Sequence, residues 1–305
     1  MRDKITVIGS LNYDIILKIG KLPQKGETLT ADAAAFSAGG KGANQAVQAA
    51  KLAVHTAMVG CVGRDAMGEQ LIRTAEQYGV DVSHIRRCDA NTGMGVVQAL
   101  NDGSVYATIV RGANYEIRKA DIDAALPLLR ESSAAVFQME IPADVNAYAM
   151  EAAKREGCQV LLNAAPASPV PDETLSLCDV VAVNEVEAAF YCGYKIETRA
   201  QAEAAALNFC SRYHNKWILT LGALGSVLSD GTRTEFIPSL KVHAIETTGA
   251  GDSYMGAFAY ALKSGYDYFE AGRFATCCSA LTVQKLGAQD SMPTLKEAME
   301  LYEKI

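Results

Sequence analysis

Short runs of consecutive apolar residues alternate with amphipathic stretches along most of the chain. Runs of the first kind suit strands covered on both faces, and stretches of the second kind suit crossover helices between them. The alternation predicts an α/β fold: a mostly parallel central sheet covered by helices on both faces. Strands are expected at residues 5–8, 53–59, 134–139, 159–162, 180–183 and 217–221, most of them rich in Val, Ile and Leu. Helices are expected between them. Those at 65–78 and 144–156 run into Gly79 and Gly157, residues suited to the left-handed conformation that ends a helix.

Two regions, about 13–36 and 94–112, break this alternation. In the second, residues 96–100 and 105–110 flank Asn101-Asp102-Gly103, the turn chemistry of a β-hairpin. Strand pairs outside the βαβ pattern predict a small antiparallel β sheet standing off the main one, placed to act as a lid. With no linker, low-complexity tract or repeat in view, residues 1–305 are expected to form a single domain.

Composition narrows the function classes. Half of the 305 residues are apolar and 21% are charged, the balance of an ordinary globular protein. The net charge is −7 and no run of basic residues could track phosphates, so nucleic acid is not an expected partner. The first twelve residues lack the pattern of a signal peptide, and no stretch reaches the ~18 apolar residues of a membrane span. A cytoplasmic location is expected, with no membrane partner. Eight cysteines without a Cys-x-x-Cys pair suggest buried free thiols, and the four isolated histidines suggest no metal site.

Ligands of open α/β sheets bind beyond the carboxyl ends of the strands. The residues just past the expected strands are polar: Asn12 and Asp14, Glu140, Asn163, Asn184 and Glu187, and then Thr220 with Gly222. Turn formation or helix capping accounts for any one of them alone. Taken together they favour a polyhydroxylated ligand, whose hydroxyls need paired donors and acceptors.

Two glycine clusters add to this. Gly39-Gly40-Lys41-Gly42-Ala43-Asn44 precedes a helical stretch; it lacks the spacing of a Walker A loop, but lets a ligand approach the backbone, with Asn44 pointing back toward it. Thr247-Thr248-Gly249-Ala250-Gly251-Asp252 precedes an apolar helix expected from about residue 253. Successive amides at a helix start, with the positive end of its dipole, make an anion hole, and Asp252 beside it can accept a proton from an attacking hydroxyl. Alone, Asp252 would read as a helix cap.

These residues resemble the ribokinase-like carbohydrate kinase family over Val7 to about Pro293, and Gly39 to Ala46 is most like its ribokinase branch. The resemblance implies ATP-dependent phosphorylation of a primary hydroxyl, with the 5-hydroxyl of D-ribose as first substrate and a nucleoside or another sugar as the alternative. It places Asn12, Asp14, Gly40, Lys41, Asn44 and Glu140 around the sugar and Asp252 beside the reacting hydroxyl. Asn184, Thr220, Gly222 and Gly251 would meet ATP, while Gly249, Ala250 and Gly251 form the anion hole. Asn184 and Glu187 look like the family's Asn-x-x-Glu motif, which organises Mg2+ through water. A K+ site would involve Glu246, Thr248, Thr282, Lys285, Gly287 and Ser291. The lid would close over the sugar and form a homodimer interface. Three positions depart from the family's habit: Glu246 where Asp is usual, Met255 where Asn commonly precedes the glycine, and Tyr13 where a small residue is common.

Two readings from other classes fare worse. Gly9 follows the first strand, but residues 8–14 lack the glycine spacing of a dinucleotide site. A sugar-binding regulator without catalysis would be expected to have lost Gly249, Gly251 or Asp252, and all three are present.

Overall fold

The computed structural model describes residues 2–100 and 104–305; the turn residues Asn101, Asp102 and Gly103 lie outside the described residues. Among those described, nine strands form the main sheet. In chain order these are β1 (Lys4–Ile8), β4 (His55–Gly63), β5 (Val80–Cys88), β8 (Ser132–Phe137), β9 (Gln159–Asn163), β10 (Val180–Asn184), β11 (Lys216–Thr220), β12 (Gly225–Ser229) and β13 (Thr234–Pro238). Their spatial order is β13-β12-β11-β10-β9-β8-β1-β4-β5. All pairings from β5 to β11 are parallel, and β12 and β13 add an antiparallel edge after the tight turn Gly222–Leu224.

The unbroken apolar runs are explained by a core on each face. Phe137, Leu162, Val183 and Leu219 pack into one cluster. Their immediate neighbours Val136, Leu161, Ala182 and Ile218 pack into the other. Successive side chains of a strand point to opposite faces, so a strand covered on both sides needs no polar positions. Each fully buried Leu, Ile, Val or Phe contributes about 1.5–3 kcal/mol.

Each of the six expected strands overlaps an observed one, with shifted ends. The strand expected from residue 53 begins at His55, because Ala53 adopts φ 61 in the turn that closes the preceding helix. The helix expected from about residue 253 spans Ala250–Lys263, which puts Asp252 in its first turn.

The four remaining strands form a small sheet: β2 (Asn12–Ile19), β3 (Ala33–Gly39), β6 (Gly93–Leu100) and β7 (Val105–Val110), in the order β3-β2-β6-β7. Its outer pairs are antiparallel, and the central pair, β2 with β6, is parallel. Both central strands leave the main sheet in the same sense, one after β1 and the other after β5. Asn12 of β2 lies opposite Gly39 and Gly93, and Asp14 lies opposite Ser37 and Gly95. The small sheet thus rises from the edge of the main sheet where the strand ends carry Asn163, Asn184 and Thr220.

Candidate active site

Asp252 sits in the first turn of the helix Ala250–Lys263, yet its carboxylate does not cap that helix. Instead Oδ1 accepts from Gln45 Nε2 at 2.9 Å and Oδ2 accepts from Asn44 Nδ2 at 2.9 Å. Both donors lie on the helix Lys41–Lys51, whose first turn packs against the helix carrying Asp252. Asn44, expected at the sugar, donates its NH2 group to this carboxylate. Gln45 donates also to Asn163 Oδ1 at 3.1 Å and accepts from Gln138 Nε2 at 2.8 Å.

One of the N–H groups expected to form the anion hole at the helix start is already engaged. The Ala250 N–H is taken up by the Thr247 carbonyl at 3.2 Å, whereas the Gly251 and Asp252 N–H groups have no bonded partner among the described residues. A β-carbon at Gly251 would meet no atom within 4 Å, so no neighbouring group demands glycine there. Gly249 is different, with φ 78 at the position before the helix and a β-carbon that would press on Ala288.

Two cavities meet at this turn. One, of about 230 Å³, is lined by Lys41, Asn163, Asn184, Glu187, Gly251 and Asp252 among others. The other, of about 570 Å³, runs over Gly222, Gly225, Val242, Ala250, Tyr254 and Val283. Asn184, Thr220, Thr247, Gly251 and Tyr254 line both.

Around the small sheet the charges are dense. Burial first, then the Glu140 carboxylate, pushes the Asp14 carboxyl up to about 7, against the Gly95 N–H and the Lys41 ammonium. The carboxylate fits there because both flanking strands offer glycine: a β-carbon on Gly39 or Gly95 would fall 2.1 or 2.3 Å from its oxygens. Burial would lower the Lys41 ammonium, but the carboxylates of Asp252, Glu140, Glu187 and Asp14 outweigh it and hold it above the usual lysine range. Glu140 accepts from the Ser10 hydroxyl and from the Lys41 N–H. Gly40, with φ 90, lies so close to Ser10, Leu11 and Asn12 that no side chain would fit.

Asn12 is buried, and its Oδ1 accepts from Asn114 Nδ2 at 2.7 Å. Asn114 also clamps the Leu11 backbone, accepting its N–H at 2.9 Å and donating to its carbonyl at 3.1 Å. With Oδ1 engaged, Asn12 presents its NH2 group as the remaining donor.

Asn184 and Glu187 form a reciprocal capping box on the helix Glu185–Cys192: the Asn184 side chain accepts from the Glu187 N–H, and Glu187 Oε2 accepts from the Asn184 N–H. The capping reading of these two residues is therefore realised, and both still line the smaller cavity. Burial holds the Glu187 carboxyl above its ordinary range despite the Asn184 N–H and the Lys41 charge. Thr220 ends β11 and Gly222 takes φ 52 in the turn after it.

Among the residues expected around a monovalent cation, Glu246 Oε2 accepts from the Gly287 N–H at 2.9 Å, so the longer carboxylate reaches the loop. Thr248 is exposed. The Thr282 carbonyl accepts from the Lys285 N–H, the Lys285 ammonium pairs with Glu297, and Ser291 is buried with its hydroxyl on the Ala288 carbonyl.

A carboxylate held by two amides, beside open helix-start N–H groups and between a polar chamber and a larger cavity, defines a phosphotransferase acting on a hydroxyl. The family described as pfkB family carbohydrate kinase matches residues 2–295. Ribokinase of Haemophilus influenzae is 35% identical over 304 residues, covering 99% of both chains. Deoxyribokinase of Salmonella typhi is 33% identical, covering 97% of both. The structure of Arabidopsis thaliana ribokinase complexed with ribose and ATP superposes with a TM-score of 0.93 at 33% identity over 99% of both chains. The chain belongs to the pfkB family of carbohydrate kinases and is a sugar kinase, transferring a phosphoryl group to a hydroxyl.

Sequence reasoning missed Gln45, Asn114 and Ser10, and also Gln289, whose Nε2 donates to Asn44 Oδ1 at 3.0 Å. Gln45 lies in a stretch of helix that buries Gly42 to Ala49, and a polar residue on such a face is a signal that could have found it. Asn114 carries no local signal, because its partners lie about a hundred residues away.

Proposed function

We propose that this chain phosphorylates D-ribose at its 5-hydroxyl, with ATP as donor and Asp252 as the general base. The observation that carries this reading is the Asp252 carboxylate, fixed by Asn44 and Gln45 at the mouth of the Gly251–Asp252 amides. The sugar lies among Asn12, Asp14, Gly40, Lys41 and Glu140, and the nucleotide fills the larger cavity over Thr220, Gly222 and Val283. The 5-hydroxyl gives its proton to Asp252 as its oxygen attacks the terminal phosphorus and the bond to the leaving ADP oxygen breaks. The free N–H groups of Gly251 and Asp252, with Lys41 opposite, balance the charge on the transferring group.

Ribose is favoured over 2-deoxyribose by the orientation of Asn12. Its NH2 group, left free by Asn114, needs an acceptor, and a ligand without the matching hydroxyl forfeits about 1–3 kcal/mol. Mg2+ suits Glu187 and Asn184, held through water, where it would neutralise phosphate charge. K+ would sit by Glu246 and the carbonyl groups near Gly287. The small sheet is the lid, and Phe36, Tyr106 and Ile109, exposed on it, suit a homodimer interface. ATP as donor and eight free thiols among the described residues fit a cytoplasmic enzyme.

Purified protein assayed with ATP and Mg2+ against ribose, 2-deoxyribose, fructose and nucleosides tests the substrate: kcat/KM for ribose is expected to lead. No activity on ribose removes that assignment. Asp252→Asn is expected to lower kcat by about 10²–10⁴-fold while calorimetric ribose binding persists. Near-normal turnover in that variant removes Asp252 as base.

A further inference from the structure

The base is reached from a direction that the proposed chemistry does not require. Asn44, which donates to Asp252 Oδ2, accepts through its own Oδ1 from Gln289 Nε2 at 3.0 Å. Asn44, Asp252 and Gln289 are all buried. An amide can offer either its oxygen or its nitrogen to a neighbour, and the choice is set by what the other end meets. With the Gln289 donor on one side, the Asn44 oxygen is committed there and its NH2 group must face the carboxylate.

Gln289 is retained at a cost. Its Oε1 is buried and has no hydrogen-bond partner among the described residues, a condition uncommon for buried polar atoms. An apolar side chain would fill the same place without an orphaned oxygen.

The segment carrying Gln289 is clamped with unusual density. The Lys51 ammonium donates to three of its carbonyl groups, Gln289 at 2.8 Å, Asp290 at 3.3 Å and Met292 at 2.7 Å. Gln48 Nε2 donates to the Pro293 carbonyl at 3.2 Å, and the Tyr78 hydroxyl bonds the Asp290 carboxylate. Asn44, Gln48 and Lys51 are spaced by four and three residues, so one stripe of the helix Lys41–Lys51 holds both the base and the 289–293 segment.

We propose that Gln289 is a positioning residue for Asp252, and that Lys51 fixes the 289–293 segment so that the Gln289 amide tethers Asn44 from behind and holds its NH2 group in place on the base. The proposal rests on Asp252 acting as the base, but not on which sugar is used. Without the Gln289 donor the Asn44 side chain would lose the tether on its oxygen and could swing, and the base would lose the fixed position of one of its two anchors.

The test is a double-mutant cycle of Asn44→Ala and Gln289→Leu, with kcat, sugar KM and melting midpoint read for each protein. Gln289→Leu is expected to lower kcat about tenfold with sugar KM within twofold of wild type. The midpoint should stay near wild type, because the variant removes one orphaned oxygen and creates another on Asn44. In the Asn44→Ala background the same change should have no further effect on kcat. Unchanged kcat in Gln289→Leu, additive losses in the cycle, or parallel collapse of kcat, KM and midpoint would each overturn the proposal. Asp252→Asn is the separating control: retained turnover there sinks the base itself, whereas an inactive Asp252→Asn beside a normal Gln289→Leu sinks only this inference.

Discussion

The two ends of the site are built on different principles. Around the small sheet, the walls carry charged and amide side chains whose orientation is imposed by neighbours: Asp14 between two glycines, Asn12 turned by Asn114, Lys41 among four carboxylates. Over the larger cavity the walls are mostly small or aliphatic residues and backbone, such as Gly222, Ala250, Val242 and Val283. A wall of fixed polar groups discriminates strongly, because a mismatched ligand leaves buried donors unpaired; an aliphatic wall changes affinity only by degrees. The sugar end should therefore be selective and fragile, and the nucleotide end tolerant.

Three experiments bear on that contrast, in falling order of expected effect. Gly95→Ala would drive a β-carbon to 2.3 Å from the Asp14 carboxylate, and such overpacking costs about 1–3 kcal/mol. Sugar KM should rise by roughly tenfold or more with nucleotide KM unchanged; equal rises in both would show that the two ends are not separable. Next comes pH. The Asp14 carboxyl keeps its proton to about 7 in the fold against an ordinary 3.8, so its stabilising contribution is fully present below about 4 and is lost as pH rises through 7. The melting midpoint of the ligand-free protein should fall between about pH 4 and 7 and level off above that, and Asp14→Asn, which cannot ionise, should flatten that fall. An unaltered slope in the variant would assign it to other groups. The smallest effect is expected from Val283→Ala, which removes about 1 kcal/mol of apolar contact and should raise nucleotide KM about fivefold, with sugar KM constant. A larger loss there than in Gly95→Ala would invert the comparison.

The same contrast separates what was legible early from what was not. Asp14, Glu140, Asn184 and Asp252 could be picked out because strand ends and glycine-opened helices announce themselves locally, by period and by turn chemistry. The position of Asn44 in the first helical turn is visible locally, whereas the partner that claims its NH2 group lies 208 residues further on. The parallel pairing of β2 with β6 escaped notice for a similar reason, since a hairpin signal speaks for β6 and β7 and says nothing of β2.

The order of apolar runs and glycines along the chain was sufficient for the α/β class, the strands from β8 to β11 and the glycine-opened helix start at Gly249, because each depends on neighbours within a few residues. Which amide faces which carboxylate, that the Ala250 N–H is already engaged, and that Gln289 reaches Asp252 through Asn44 were decided only when distant segments packed. Hydrogen-bond direction in a buried cluster is a property of the whole set of partners, and no stretch of sequence contains that set.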